Sequence, residues 1–231
     1  MIKNKKIIAV IPARGGSKGV KLKNLKKIKG KSLVRIVAEF TKKCKFFDYA
    51  VLSTDHKKIS TEAKKYGLNV IKRPKSLCGD KISDTKVLVH SINYLEKIKK
   101  KNFDIVVMLH PTSPLRKVND IKNSVKLLIK KNYDSLWTVS KTDSKFHPHK
   151  QLLIKNNKIK YYSNKGSSIT YRQQLGQVYH RNSNAYVINN NFLKRKKTLL
   201  SKNTGSYLVQ SKQVSVDSIE DINIVKKISS Y

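Results

Sequence analysis

The sequence predicts an α/β protein: a mostly parallel, twisted sheet with helices on both faces, plus a small β-rich arm inserted in its C-terminal half. Three observations carry this. Short apolar runs rich in Ile and Val alternate with longer stretches whose apolar residues recur near a helical period, as at Val87, Val89, Ile92, Leu95 and Ile98. Alternating strand and helix implies crossover connections, which join parallel neighbours. Past Val139 the pattern changes, because positions 140–181 are polar, carry Pro148, Gly166 and Gly176, and hold alternating fragments such as Lys158–Tyr162. Residues 1–139 and 182–231 are therefore expected to form one α/β domain, with 140–181 as an excursion from it.

In chain order, strands are expected at Ile7–Ile11, Tyr49–Ser53, Asn69–Ile71, Ile105–Leu109 and Leu136–Val139. Helices are expected between them, near Ser32–Lys45, Lys57–Tyr66, Thr85–Lys99 and Asn119–Lys131. Regular structure resumes at Ala185–Ile188 and Gln213–Val216, and a last helix runs from about Ser218 to Ser229, opened by the capping sequence Ser218-Ile219-Glu220-Asp221. Ligands of open parallel sheets sit at the carboxyl ends of the strands. That rule puts the loops at Arg14, at Asp55 and at His110–Arg116 on one rim.

A chain of 231 residues with 39% hydrophobic residues can build one large domain with a real core. No apolar run approaches a membrane span. The apolar run after MIKNKK is cut short by Pro12 and Arg14, so no export signal is read and a cytoplasmic location is expected. Cys44 and Cys78 are too few for a disulfide framework and lack metal-ligand spacing. The net charge of +37 invites a nucleic-acid or anionic-membrane reading. Lysines are spread over every segment, however, and arginine, the better reader of phosphates and bases, occurs seven times. The charge reads as compositional drift, and no specific nucleic-acid partner is expected. The field still draws in anionic substrates.

The segment Ile7–Leu33, IIAVIPARGGSKGVKLKNLKKIKGKSL, is the most informative. An apolar run ends in a glycine loop carrying Arg14, Lys18, Lys21 and Lys23. Backbone N–H groups and cations gathered at a strand end form a place for phosphates, a triphosphate above all. The loop does not fit G-x-G-x-x-G, and Gly30-Lys31-Ser32 is no P-loop because position 25 is Leu25. Ser53-Thr54-Asp55 ends the second strand and reads chiefly as strand-end turn chemistry.

These blocks, IPARGGSKG with KLKN, LSTD, RPxxL with Asp80, HPTSPLR and VDSIEDI, resemble the acylneuraminate cytidylyltransferases, the CMP-sialic acid synthetases, including legionaminic-acid-type relatives. The resemblance runs from about Ile7 to Ile228, with every block in the family's order. It implies a nucleotidyltransferase-type fold, a homodimer, Mg²⁺, and a reaction joining CTP to a nine-carbon nonulosonic acid to give the CMP-sugar and pyrophosphate. By the same resemblance Arg14, Ser17, Lys18 and Lys23 hold the triphosphate and Asn24 helps place the nucleotide. Fixed cations stabilise the charge that builds on the α-phosphate oxygens and on departing pyrophosphate. Arg73 is expected against the base, where a planar donor pairs with cytosine's acceptors. Ser83 matches a serine near the base, and Asp84 stands where a second serine is common.

His110 occupies a position where many relatives carry a Gln that contacts the sugar acid; an imidazole can replace that hydrogen bond or act as a base. Lys150 and Arg172 match basic residues that meet the sugar carboxylate and reach in from the partner subunit's arm, which gives 140–181 a dimerising and sugar-binding role. The family's D-x-D block, whose carboxylates serve Mg²⁺, appears here as Ser215-Val216-Asp217: Asp217 is kept and Ser215 replaces the first Asp. One carboxylate plus phosphates and waters can suffice for Mg²⁺, and the alternative is that Asp217 and Ser218 only cap the last helix. Two other functional readings stand beside this one. A cytidylyltransferase for another acid sugar, such as the eight-carbon acid of lipopolysaccharide, would carry an acidic loop where HPTSPLR lies. An inactive basic binding module would explain Ser215 as a lost ligand.

Overall fold

The first apolar run becomes strand β1 (Ile7–Pro12), near the middle of the main sheet, and its side chains divide between two cores. The computed structural model describes residues 2–16 and 19–229. After β1 come a short hairpin of β2 (Lys27–Ile28) and β3 (Lys31–Ser32), α1 (Leu33–Lys43), β4 (Tyr49–Thr54), α2 (Lys57–Lys65), β5 (Asn69–Lys72), α3 (Asp84–Lys99), β6 (Ile105–Met108), α4 (Val118–Lys131) and β7 (Ser135–Lys141). The second half holds the hairpin β8 (Leu152–Lys155) and β9 (Lys158–Tyr161), then β10 (Tyr179–Asn189), α5 (Asn190–Lys196), β11 (Thr204–Leu208) and α6 (Ile219–Ile228). The main sheet has seven strands in the order β11-β7-β10-β6-β1-β4-β5. Its β6, β1, β4 and β5 are mutually parallel, β11 is parallel to β7, and β10 runs antiparallel to both of its neighbours.

Strand side chains alternate between faces. Ile7, Ala9 and Ile11 of β1 pack with α1, α2 and α4 through Val34, Val37, Ile59, Ile121 and Val125. Ile8 and Val10 face the other way, onto Leu88, Ile92 and Leu95 of α3 and Phe192 and Leu193 of α5. The mostly parallel α/β sheet with helices on both faces is thus the one the sequence predicts. A third cluster joins α1 to α6, where Ile28, Leu33 and Ile36 bury against Val216, Ile222 and Val225. Helix α1 starts at Ser32, whose hydroxyl accepts from the Arg35 N–H at 3.0 Å. The capping box expected for α6 is present: Ser218 Oγ accepts from the Asp221 N–H at 3.2 Å, and Asp221 Oδ2 accepts from the Ser218 N–H at 2.8 Å.

The differences from the sequence reading have physical reasons. Gln213–Val216 joins no sheet; its apolar pattern is satisfied by burying Val216 in the third cluster, and its Val216 N–H bonds the Thr112 carbonyl at 2.8 Å. The edge strand is instead Thr204–Leu208, a polar segment held by β7. Strand β10 begins at Tyr179, before the expected Ala185, because its first residues Tyr179–Arg181 pair with Val139–Lys141. Between β7 and β10 the chain forms the β8–β9 hairpin and several short 3-10 turns outside the main sheet. Leu152, Leu153, Ile154 and Ile159 of that hairpin lie exposed.

The β10 ladder is broken by a bulge between Arg181 and Tyr186, with Ser183 at a φ of 57°. Thr138 of β7 holds it. The Thr138 hydroxyl donates to Asn182 Oδ1 at 2.7 Å and accepts from the Ala185 N–H at 3.0 Å, all buried. Thr138→Val, nearly isosteric, leaves that N–H without a partner. It is expected to lower unfolding free energy by about 1–3 kcal/mol, read from urea denaturation, with the far-ultraviolet spectrum unchanged.

Candidate active site

The strand order reverses between β1 and β6, since the chain leaves β1 toward β4 and β5 and returns on the other side as β6. A crevice opens at such a switch point, outside the carboxyl ends of the strands. Here it is a cavity of about 380 Å³. Loops following β1 and β6 supply Arg14, Lys23 and Asn24, and His110 and Thr112; the segment before α6 supplies Ser215 and Asp217. Arg73, Asp84 and Ser183 complete its polar wall. Residues near both ends of the chain therefore share one cavity.

The contacts explain how each side chain is held. Arg14 Nη1 lies 2.6 Å from Asp80 Oδ1, and Lys23 Nζ lies 2.7 Å from Asp217 Oδ1. The Asp80 side chain is 43% exposed and that of Asp217 71%, so each pair contributes roughly 1 kcal/mol or less and yields readily to a better anion. The Asn24 amide donates to the Arg14 carbonyl at 3.0 Å, which folds the basic loop back on itself. Gly19 lies so close to the acidic segment that a Cβ there would meet the Asp217 carbonyl oxygen at 2.9 Å. Asp221 Oδ2 accepts from the Asp217 N–H at 2.8 Å. Burial alone would raise the Asp221 pKa, but the N–H donors of Asp217 and Ser218 bring it below the ordinary Asp value.

Arg73 is buried, and its guanidinium donates from Nε to Ser53 Oγ at 3.2 Å and from Nη2 to the Ser53 carbonyl at 2.9 Å. Burial lowers its pKa, and Asp55 and Asp84 counter that effect. The Ser53-Thr54-Asp55 block does two things. Thr54 Oγ1 accepts from the His56 N–H at 3.2 Å, which is the strand-end turn chemistry the sequence suggests. Asp55 Oδ1 instead reaches the Gly15 N–H at 2.8 Å and so fixes the glycine loop.

Of the residues singled out in the sequence, Arg14, Lys23, Asn24, Arg73, His110, Ser215 and Asp217 come together in this cavity. Ser17 and Lys18 lie outside the described residues. Ser83 does not line the cavity; it is the N-cap residue of α3, its hydroxyl 2.8 Å from Thr85 Oγ1, while Asp84 beside it does face in. Lys150 is exposed on a 3-10 turn outside the sheet. Arg172 lines a different cavity of about 430 Å³ with Lys141, Asp143 and His147. Sequence reasoning missed Ser183. Its only signal was the polar triplet Asn182-Ser183-Asn184 inside a strand, the mark of the bulge that turns it toward the site.

Asp217 and Ser215 offer only oxygen donors to a cation, a hard set suited to Mg²⁺. Among the described residues no three His, Cys, Asp or Glu side chains cluster as metal ligands. Any Mg²⁺ here would take most of its ligands from phosphates and water.

An open α/β sheet with a basic crevice at its switch point defines a class of α/β protein that takes anionic ligands at its strand ends. A family model described as "Cytidylyltransferase" matches residues 8–229. Post-translational flagellin modification protein B of Campylobacter coli is 31% identical, over 95% of this chain and 93% of that protein. CMP-N,N'-diacetyllegionaminic acid synthase of Campylobacter jejuni is 30% identical, over 97% of this chain and 95% of that protein. A solved structure of CMP:2-keto-3-deoxy-manno-octonic acid synthetase complexed with CTP superposes with a TM-score of 0.74 at 16% identity, covering 96% of this chain and 98% of the other. The chain belongs to the cytidylyltransferase family and is a nucleotidyltransferase enzyme. No helix among the described residues is long and apolar enough to cross a membrane.

The Asp55–Gly15 contact makes a specific prediction. Asp55→Ala frees the glycine loop and is expected to weaken CTP binding about threefold to tenfold by calorimetry, the loss of a single charge-assisted hydrogen bond. Asp55→Asn, which keeps an acceptor oxygen, should recover most of that affinity.

Proposed function

We propose that the enzyme joins CTP to a nonulosonic, sialic-type acid and releases pyrophosphate. The observation that carries this reading is the single cavity in which Arg14 and Lys23 meet Asp217. CTP would lie across the strand ends with its triphosphate on Arg14 and Lys23, joined by Ser17 and Lys18 of the same loop. Arg73 would face the base. The acceptor hydroxyl attacks the α-phosphorus in line, and the bond to pyrophosphate breaks with its electron pair. Positioning and electrostatics supply most of the rate in such chemistry. Arg14 and Lys23 can leave their exposed carboxylate partners at small cost and close on the phosphates. Mg²⁺ held by Asp217, with Ser215 beside it, would screen the triphosphate charge.

A nine-carbon acid as acceptor is supported by near full-length similarity to a relative named for N,N'-diacetyllegionaminic acid. The loop after β6 reads HPTSPLR, with no acidic residue, which favours such an acid over the eight-carbon one. Arg172 lies away from the CTP cavity, and the β8–β9 hairpin exposes apolar side chains. Both support a homodimer in which 140–181 is an inserted arm that brings Lys150 and Arg172 to the sugar carboxylate of the partner subunit's site. The α/β domain of 1–139 and 182–231 would then hold the nucleotide. A cytoplasmic enzyme supplied with CTP fits this reading.

Pyrophosphate release from CTP, measured across a panel of nonulosonic acids with Mg²⁺ and Mn²⁺, is the direct test. Arg14→Ala and Asp217→Ala are each expected to lose nearly all turnover while keeping the unfolding midpoint. Turnover at the normal rate in either variant contradicts the assignment. Chains bearing Arg14→Ala mixed with chains bearing Arg172→Ala should regain activity neither has alone, because one mixed dimer contains one intact site.

A further inference from the structure

Two further side chains line the same cavity as Arg14 and Lys23. His110 follows the carboxyl end of β6, Asp84 opens α3, and both line the cavity. His110 Nε2 lies 3.6 Å from Asp84 Oδ2. That is too long for a hydrogen bond, so Nε2 is not committed as a donor to the carboxylate, yet it is close enough for a charge on the ring to feel it. The ring is well placed to hold one position. It stands edge-on to Tyr186 of β10, with centroids 6.1 Å apart at 78°, and Tyr186 in turn stands edge-on to Trp137 of β7. The His110 carbonyl accepts from the Arg116 guanidinium, and Pro111 follows directly.

We propose that His110 and Asp84 are the proton-accepting pair of this site: His110 Nε2 takes the proton of the acceptor hydroxyl, and the Asp84 carboxylate balances the imidazolium that results. The inference rests on the cytidylyl-transfer reading above. As the hydroxyl oxygen bonds to the α-phosphorus, its O–H electron pair stays on oxygen and its proton passes to Nε2. The α-phosphorus–oxygen bond to pyrophosphate breaks, and pyrophosphate leaves with that electron pair. The imidazolium then returns its proton to water. A side-chain base within reach of the reacting hydroxyl contributes on the order of 10²–10⁴-fold.

The surroundings suit a base at neutral pH. Burial lowers the His110 pKa below the ordinary 6.5. Asp84 on α3 raises it, Arg116 and Lys23 lower it, and Asp217 raises it. The net result is a ring that is neutral, and able to accept, at pH 7. The sign follows directly: turnover should fall as pH drops through this depressed pKa, and the ring should be fully competent above 6.5. Removing Asp84 takes away a charge that favours the imidazolium, so it should lower the His110 pKa and move the acid limb to lower pH.

Histidine NMR and pH–rate profiles together test this on the whole protein. His110→Gln identifies the His110 resonance by its loss. In Asp84→Asn the His110 pKa should fall by roughly half a unit or more, and an unmoved pKa overturns the pair whatever the activity. In the pyrophosphate assay His110→Gln should lower kcat on the order of 10²-fold, with the KM for CTP unchanged and the acid limb gone. Asp84→Asn should shift that limb downward, and should do nothing further in the His110→Gln background. An acid limb that survives in His110→Gln overturns the proposal. A wild type that binds CTP but turns over no acid in the panel sinks the nonulosonic reading instead, and the NMR comparison then decides the pair by itself.

Discussion

The crevice depends on one meeting: the basic loop after β1 and the acidic segment before α6, which touch across 194 residues of sequence at the Lys23–Asp217 pair. That exposed ion pair is too weak to draw the chain ends together. Apolar burial does so. Ile28, Leu33 and Ile36 on one side and Val216, Ile222 and Val225 on the other form a cluster directly behind the two segments. Full burial of such side chains contributes roughly 1.5–3 kcal/mol each. The Val216 N–H on the Thr112 carbonyl and the close approach of Gly19 to the Asp217 carbonyl then set the fine position. Strong, nonpolar contacts fix the frame, and weak polar ones are left free to exchange.

That division matters in a chain of such charge. With 51 basic and 14 acidic residues, the protein can attract anions almost anywhere. Selectivity must come from where the few acids sit. Asp55 orders the glycine loop, Asp80 occupies Arg14, Asp217 occupies Lys23 and Asp84 faces His110. Asp55, Asp80 and Asp217 each hold a donor or a cation in place, and none of the four acids is buried deeply enough to resist replacement. Arg14 and Lys23 therefore wait in position rather than scattered in solvent. Preorganisation of that kind is where catalysis of phosphoryl transfer draws its advantage.

Strand β10 joins the halves of the sheet and also shapes the crevice. Running antiparallel between β6 and β7, it brings Tyr186 under the His110 ring. Its bulge, fixed by Thr138, turns Ser183 to the cavity wall and offers the Asn184 carbonyl to Arg116 Nε at 3.2 Å. Arg116 also donates to the His110 carbonyl, so one buried guanidinium ties the bulge to the loop after β6. A local irregularity in a ladder thus positions side chains from two loops.

The sequence alone determined the parallel core, because the short apolar runs at β1, β4 and β6 and helical spacing between them are local signals. It also determined the basic loop, since Arg14, Lys23 and Asn24 lie within one short stretch after a strand. It could not determine that β11 is Thr204–Leu208 while Gln213–Val216 stays outside the sheet. Both are short, and the choice rests on which finds a partner: β7 takes one, and the α1–α6 cluster takes Val216. Nor could it place Ser183 or face Asp84 toward His110, because both depend on elements far apart in the chain. Chemistry carried on one loop was legible in the residues. Chemistry shared between loops was decided only when burial brought the strands, the bulge and the last helix together.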